Sequence, residues 1–210
     1  MYNIVTRPPQ LTLCSDASKQ AVGGYWSETG EHWRYDLSAE ERSRFCGSSA
    51  SVVGVNAVSI NALELLGMLV GAWVFVVGQR RRPASAGDCV LLRVDNESSV
   101  AWIQRCRGGK EPRSGALMRL LGVLEVSSGW HFRASDVSGV LNSLADGHSR
   151  WDSTDVRDNL LRASPHVPWQ EVQLGEAELR LCSCVLGSSS SGALLRSRLR
   201  ELIWDISVPG

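Results

Sequence analysis

The sequence predicts an α/β domain: a mixed five-stranded sheet with helices on both faces, followed by a C-terminal helical extension. Three observations carry this. Segments of strand character at 11–16, 20–26, 30–35, 89–94 and 130–135 are interleaved with segments of helical spacing at 61–78, 96–105, 115–127 and 142–150. A chain of 210 residues is long enough to bury a core without disulfide staples. A hydrophobic content of 43% against 21% charged residues excludes a disordered or collagen-like chain.

Residues 1–10 are expected as a linker, and MYNIVTRPPQ lacks the apolar run of a signal peptide. LTLCSD at 11–16 opens the sheet. QAVGGYW and GEHWRY follow as two aromatic strands, with Gly30 marking a hairpin link. Residues 36–58 turn polar, then Ser/Gly-rich, and read as an irregular connection. Residues 65–77, LLGMLVGAWVFVV, are uncharged and strongly apolar. A membrane span needs about 20 such residues. This run has 13, is preceded by Glu64 and is followed by Arg80, Arg81 and Arg82, so it is expected as a buried helix rather than an anchor. CVLLRV at 89–94 is almost continuously apolar, as in a strand covered on both faces. Val100 and Ile103 share one side of the next helix, and Leu117, Leu120, Leu121 and Leu124 recur at helical spacing in the one after. WHFRAS at 130–135 alternates as a strand does. The strand–helix–strand section implies a parallel crossover. These elements define a domain over 11–152, and 153–210 reads as a partly flexible extension with a short helix near 193–206.

The 22 basic residues comprise 20 Arg with Lys19 and Lys110, balanced by 22 acids. Zero net charge gives no global pull toward nucleic acid, so such binding has to rest on a local patch. Residues 80–133 hold ten basic and five acidic side chains, a net of +5, including both loops that flank the 89–94 strand. Residues 142–178 hold three basic and seven acidic side chains, a net of −4. The basic section is a candidate phosphate surface, and a solvated basic face is the plain alternative. The six cysteines form no C-x-x-C pair, which argues against zinc and for reduced thiols in an intracellular protein.

Four carboxylates stand out by position. Asp16 ends the first strand, Glu64 lies in the first turns of the apolar helix, Asp95 ends the 89–94 strand, and Asp146 lies in LNSLADGHSR just past the last strand. Open α/β folds build their sites at the ends of neighbouring strands. Converging carboxylates repel one another, and a divalent cation such as Mg2+ or Mn2+ removes that repulsion. A pair of such ions can activate water at a phosphodiester. Each acid also has a plain structural role: Glu64 has capping-box spacing from Asn61, Asp95 can cap the next helix, Asp16 can sit in a turn, and Asp146 can be a surface charge.

The pieces LCSDAS, SINALELLGMLVGAW, VLLRVDNESSVAWIQR followed by RGGKEPRSGAL, and VSGVLNSLADGHSR together resemble the ribonuclease H domain of retroelement reverse transcriptases, and most of all those of DIRS-type elements with a tyrosine recombinase. The resemblance spans roughly residues 11–151. It implies a ribonuclease H-like fold and a metal site carried by Asp16, Glu64, Asp95 and Asp146, with two Mg2+ or Mn2+ ions as cofactors. It further implies cutting of the RNA strand of an RNA–DNA hybrid and a polymerase domain as partner within a parent polyprotein, in the cytoplasm or nucleus and away from membranes. Two departures are visible. Ser59 stands where the family often has His, and Asp136-Val137-Ser138-Gly139 replaces His-Ile-Pro-Gly.

For substrate contacts, Asn96 beside Asp95 matches the family's Asp-Asn pair, and a helix-start role is the alternative. Arg105, Arg107, Lys110 and Arg113 are the candidate phosphate contacts of the basic loop. His148 is a candidate for assisting product release, with an exposed loop histidine as the plain alternative. Trp102 and Trp130 read as core residues. Ser15 and Ser18 lack a paired histidine and are not nucleophile candidates. The rival function is a non-catalytic module of the same fold that binds nucleic acid or braces a polymerase.

Overall fold

A computed structural model of the chain describes residues 8–46, 58–78, 88–109, 112–152 and 154–187. Lys110, the arginine triplet at 80–82 and the expected helix at 193–206 lie outside the described residues.

Three strands come first: β1 (Leu11–Ala17), β2 (Ala21–Trp26) and β3 (Glu31–Asp36). They pair antiparallel, and Gly30 takes the turn into β3 at φ +72°, a left-handed conformation suited to glycine. A short helix α1 (Ala39–Ser43) follows, closed by a capping box between Ser38 and Glu41. The sequence gives no sign of this helix, because its five residues carry no buried face and so no apolar period. Two-residue strands β4 (Phe45–Cys46) and β5 (Val58–Ser59) pair parallel ahead of α2 (Ile60–Gly78).

The chain then forms β6 (Cys89–Val94), α3 (Glu97–Gln104), α4 (Pro112–Ser128), β7 (His131–Asp136), a 3-10 turn (Gly139–Asn142) and α5 (Ser143–Arg150). Three more elements follow: α6 (Val156–Ala163), β8 (Gln170–Glu171) and α7 (Glu176–Leu186). The main sheet has six strands in the order β7-β6-β1-β2-β3-β8. β6 runs parallel to both β1 and β7, and the sheet is therefore mixed.

Helices cover both sides. On one side α2 lies over β1 and β2, flanked by α4 and α7. Enclosure by sheet and helices explains why α2 is apolar all round its axis. Among the described residues, no helix is long and apolar enough to cross a membrane. Leu13, Val22, Leu66, Trp73, Val90, Leu92, Leu117 and Leu120 form the centre of this core. Gly67 and Gly71, one turn apart, let the helix approach closely: a Cβ on Gly71 would lie 2.4 Å from the Leu13 side chain. On the other side α5 covers β1 and β2.

The domain extends further than the expected boundary at 152. β8 joins the main sheet beside β3, and Leu181, Cys182, Val185 and Leu186 of α7 are part of the central core. Val156, Leu160 and Trp169 form a second small cluster against Tyr25 and Trp151. The last carbonyls of α7 are held by two arginines: Arg44 donates to Leu186 O at 2.6 Å and Arg113 to Val185 O at 2.9 Å. Residues 154–187 are thus folded onto the sheet, although their polar composition reads as an extension.

β7 is an edge strand. The Phe132 amide donates to Glu125 Oε1 at 2.8 Å, and Gln104 Nε2 donates to the Ala134 carbonyl at 3.3 Å. Side chains of α3 and α4 therefore occupy backbone groups that face away from β6.

The packing of Leu13 on Gly71 has a measurable consequence. Leu13→Ala should destabilise the chain by about 2–5 kcal/mol through a buried cavity. Adding Gly71→Ala should restore part of that loss, because the new methyl group enters the space vacated by Leu13. Thermal unfolding of the single and double variants checks this, and additive losses would contradict it.

Candidate metal-binding site

The site forms where the C-terminal ends of the parallel strands β1 and β6 meet the start of α2. Asp16 is the second-last residue of β1 and points to the α5 side of the sheet, where Ser149 Oγ donates to its Oδ2. Asp95 directly follows β6. Glu64 enters from α2, whose first turn is fixed by Ser59 Oγ accepting from the Ala62 amide at 3.2 Å. The Ala17 amide in turn donates to Glu64 Oε1 at 3.2 Å and ties the helix to the strand.

One carboxylate oxygen from each of Asp16, Glu64 and Asp95 lies within 4.8 Å of the others. Asp16 and Glu64 are buried, and Asp95 is exposed at the mouth. A hollow of about 630 Å3 opens above them, lined also by Ser18, Lys19, Ile60, Asn96 and Arg150.

The electrostatics follow from this crowding. Burial raises the Asp16 carboxyl to about 6, helped by Asp95 and Asp146 and opposed by Ser149 and Arg150. Burial, then Asp16 and Asp95, holds Glu64 well above the usual carboxylate range. Partial desolvation at the mouth, and then Asp146, raises Asp95 from the ordinary carboxylate range. Glu64 Oε2 is buried and accepts no hydrogen bond among the described residues. Three convergent hard oxygen donors, one of them buried without a hydrogen-bond partner, suit a divalent cation of the Mg2+ or Mn2+ type.

Asp146 stands apart from this trio. It sits in the first turn of α5, close enough to raise both Asp16 and Asp95, and pairs with Arg150 Nε at 2.6 Å. The preceding 3-10 turn is pinned to β1, since the buried Asn142 donates from Nδ2 to Ser15 O at 3.2 Å. Gly139 in that turn lies against Asp95, where a Cβ would sit 3.2 Å from Oδ2.

Asn96 is the N-cap of α3, accepting from the Ser99 amide at 3.0 Å and donating to Asn61 Oδ1 at 2.8 Å. Asn96 thus takes the helix-start role, its alternative reading, and Asp95 does not cap α3, which leaves its carboxylate to the hollow. Arg105 and Arg107 are exposed beyond the C-terminus of α3. The eight residues of α3 put them roughly 12 Å from its Asn96 end.

Two expected substrate contacts are corrected. Arg113 is 4% exposed and spends its guanidinium on α7, so it is a structural cap rather than a phosphate contact. His148 is fully buried on the inner face of α5, stacked on Tyr25 and edge-on to His32, with its Nδ1 donating to Leu144 O at 2.9 Å. Burial pushes it down to about 4, so it is neutral and out of reach of a substrate in the hollow. Two positions apart on a helix, Asp146 and His148 turn their side chains in different directions, which sequence spacing alone does not resolve.

Sequence reasoning missed Arg150 and Ser149. The signal for Arg150 is present, because it lies four residues after Asp146 at the spacing of a helical ion pair. Ser149 has none, since its bond to Asp16 crosses from α5 to β1.

No family model matches the chain, and neither a curated protein nor a solved structure matches it.

The raised Asp16 fixes a sign for pH dependence. Its folded value of about 6 exceeds the ordinary 3.8, so the folded state binds the proton more tightly and stability falls as pH rises between those values. The full shift corresponds to about 3 kcal/mol, absent below the lower value and complete above the upper. Chemical unfolding in EDTA across that range should show the decline, and Asp16→Asn should make it shallower, leaving the part contributed by the raised Glu64 and Asp95. Mg2+ or Mn2+ should raise the melting temperature more at neutral than at acidic pH. A cation effect that is equal at both would place binding elsewhere.

Proposed function

We propose that the chain is a ribonuclease H-like domain of a retroelement reverse transcriptase, a metal-dependent endonuclease that cuts the RNA strand of RNA–DNA hybrids. The observation that carries this proposal is the convergence of Asp16, Glu64 and Asp95 from β1, α2 and β6 on one hollow. Those acids belong to separate motifs shared with that family, so the sequence pattern and the geometry support the same reading. The mixed sheet, with its antiparallel β1–β3 and parallel β6 and β7, is compatible with it.

Asp16, Glu64 and Asp95 would hold Mg2+ or Mn2+, a pair of which would supply water activation and charge neutralisation at the scissile phosphodiester. The chain's own residues do the rest. Asp16 and Glu64 provide the buried floor, and the Ala17 amide and Ser149 hydroxyl fix their orientation. Asp95 provides the exposed third donor, in the residue that precedes the Asn96 cap of α3. None of the carboxylates acts as a covalent nucleophile. Arg105 and Arg107 stand far enough along α3 to meet a neighbouring phosphate of the hybrid rather than the bond being cut. A polymerase domain and an RNA–DNA hybrid are the partners that follow from this reading.

A gel assay of a labelled hybrid with Mg2+, Mn2+ or EDTA tests the proposal. Cleavage should require the cation. Asp95→Asn should abolish it while leaving the melting temperature unchanged or higher, because an uncompensated charge is removed. Binding of the hybrid without turnover in either cation would favour the non-catalytic module instead. Neutralising Arg105, Arg107 and Lys110 together should weaken hybrid binding and reduce the salt slope, by roughly 0.7–0.9 for each phosphate that is no longer neutralised. An unchanged slope would remove the basic loop from the binding surface.

A further inference from the structure

We propose that Arg150 is an internal counter-cation of the carboxylate site: it holds Asp146 in reserve, yields it to an incoming divalent cation, and then grips a phosphate of the substrate strand. Only the last step rests on the nuclease function proposed above.

The geometry sets Arg150 apart from an ordinary helical ion pair. It is the last residue of α5, and its Nε lies 2.6 Å from Asp146 Oδ1. An ordinary pair of this spacing lies on a solvated face and contributes little. Arg150 instead lines the hollow together with Asp16, Glu64 and Asp95. Its positive charge is felt by two of those acids, opposing the rise of both Asp16 and Asp95. The backbone beside it is anchored, because Ser149 bonds Asp16 through its hydroxyl and accepts from Ser18 Oγ at 2.5 Å through its carbonyl. The side chain is 63% exposed and Asp146 37%, so the protein does not enclose the pair.

This arrangement makes Asp146 a contested ligand. Its carboxylate cannot serve a guanidinium and a metal equally well, and a divalent ion held by three further carboxylates offers the stronger attraction. Exchange adds Asp146 to Asp16, Glu64 and Asp95 and releases Arg150 at the mouth of the hollow. There its planar fork of donors matches a phosphate, which the acids alone would repel. No covalent bond is made or broken in the exchange.

Calorimetric titration of the full chain with Mn2+ at neutral pH tests the first step. Arg150→Ala should bind Mn2+ about three- to tenfold more tightly, because a competing positive charge is gone. Arg150→Lys should stay near wild type, and Asp146→Asn should bind about tenfold more weakly, with circular dichroism confirming the fold of each. An Arg150→Ala affinity within twofold of wild type would overturn the exchange and leave the pair as a helix contact. Fluorescence anisotropy of a labelled RNA–DNA hybrid in Ca2+ tests the second step. Arg150→Ala should weaken binding about five- to tenfold despite its tighter cation site, with Arg150→Lys in between. Unchanged hybrid binding would overturn the phosphate contact. A wild-type chain that binds Mn2+ but never cuts the hybrid would sink the nuclease function while the exchange is still decided by the titration. A wild-type chain that binds no Mn2+ would sink both.

Discussion

The confinement of negative charge at one end of the sheet is the constraint around which the rest of this structure is arranged. Asp16, Glu64 and Asp95 lie close enough for a single ion to touch all three, and two of them are buried. Such a cluster is costly to fold unless its groups are protonated, hydrogen-bonded or bound to a cation. The surroundings accordingly supply partial compensation. The Ala17 amide and the Ser149 hydroxyl each face one of the acids, and Arg150 stands at the rim. The apolar bulk of α2 against β1 and β2 provides the stability that this charge opposes. The two glycines on its sheet-facing side let Glu64 be carried down to the level of Asp16.

Much of the fold is legible in the sequence, for physical reasons that differ by element. The five main strands and the helices α2 to α5 can be read from apolar runs, aromatic strand formers, alternation or helical spacing, because each buries a face. Elements without such a face leave no trace in the pattern. α1 has no buried residue, and β8 is two exposed residues whose pairing with β3 depends on where the chain returns. α7 is the instructive case. Its core residues Leu181, Cys182, Val185 and Leu186 do follow helical spacing, but the polar stretch before it obscures their membership of the main core.

The candidate site divides along the same line. Asp16 and Asp95 can be found because strand ends are readable, and Glu64 because an acid inside an apolar helix is conspicuous. Of the side chains that serve these acids, Ser149 cannot, since its bond to Asp16 is made only by folding, whereas Arg150 is signalled by its four-residue spacing from Asp146. Position near a motif also misleads twice. Arg113 lies in a basic stretch yet is used to terminate α7, and His148 lies two residues from an acid yet is packed among Tyr25, His32 and Trp151.

The outer margin of β7 carries a consequence beyond the site. With the Phe132 amide engaged by Glu125 and the Ala134 carbonyl by Gln104, a foreign strand laid alongside would have to break two existing bonds before making its own. Stacking of one molecule onto the next through that border is thereby discouraged, and fibril-like growth from it is deprived of its template. The same two side chains that finish the sheet also act as its guard against self-association.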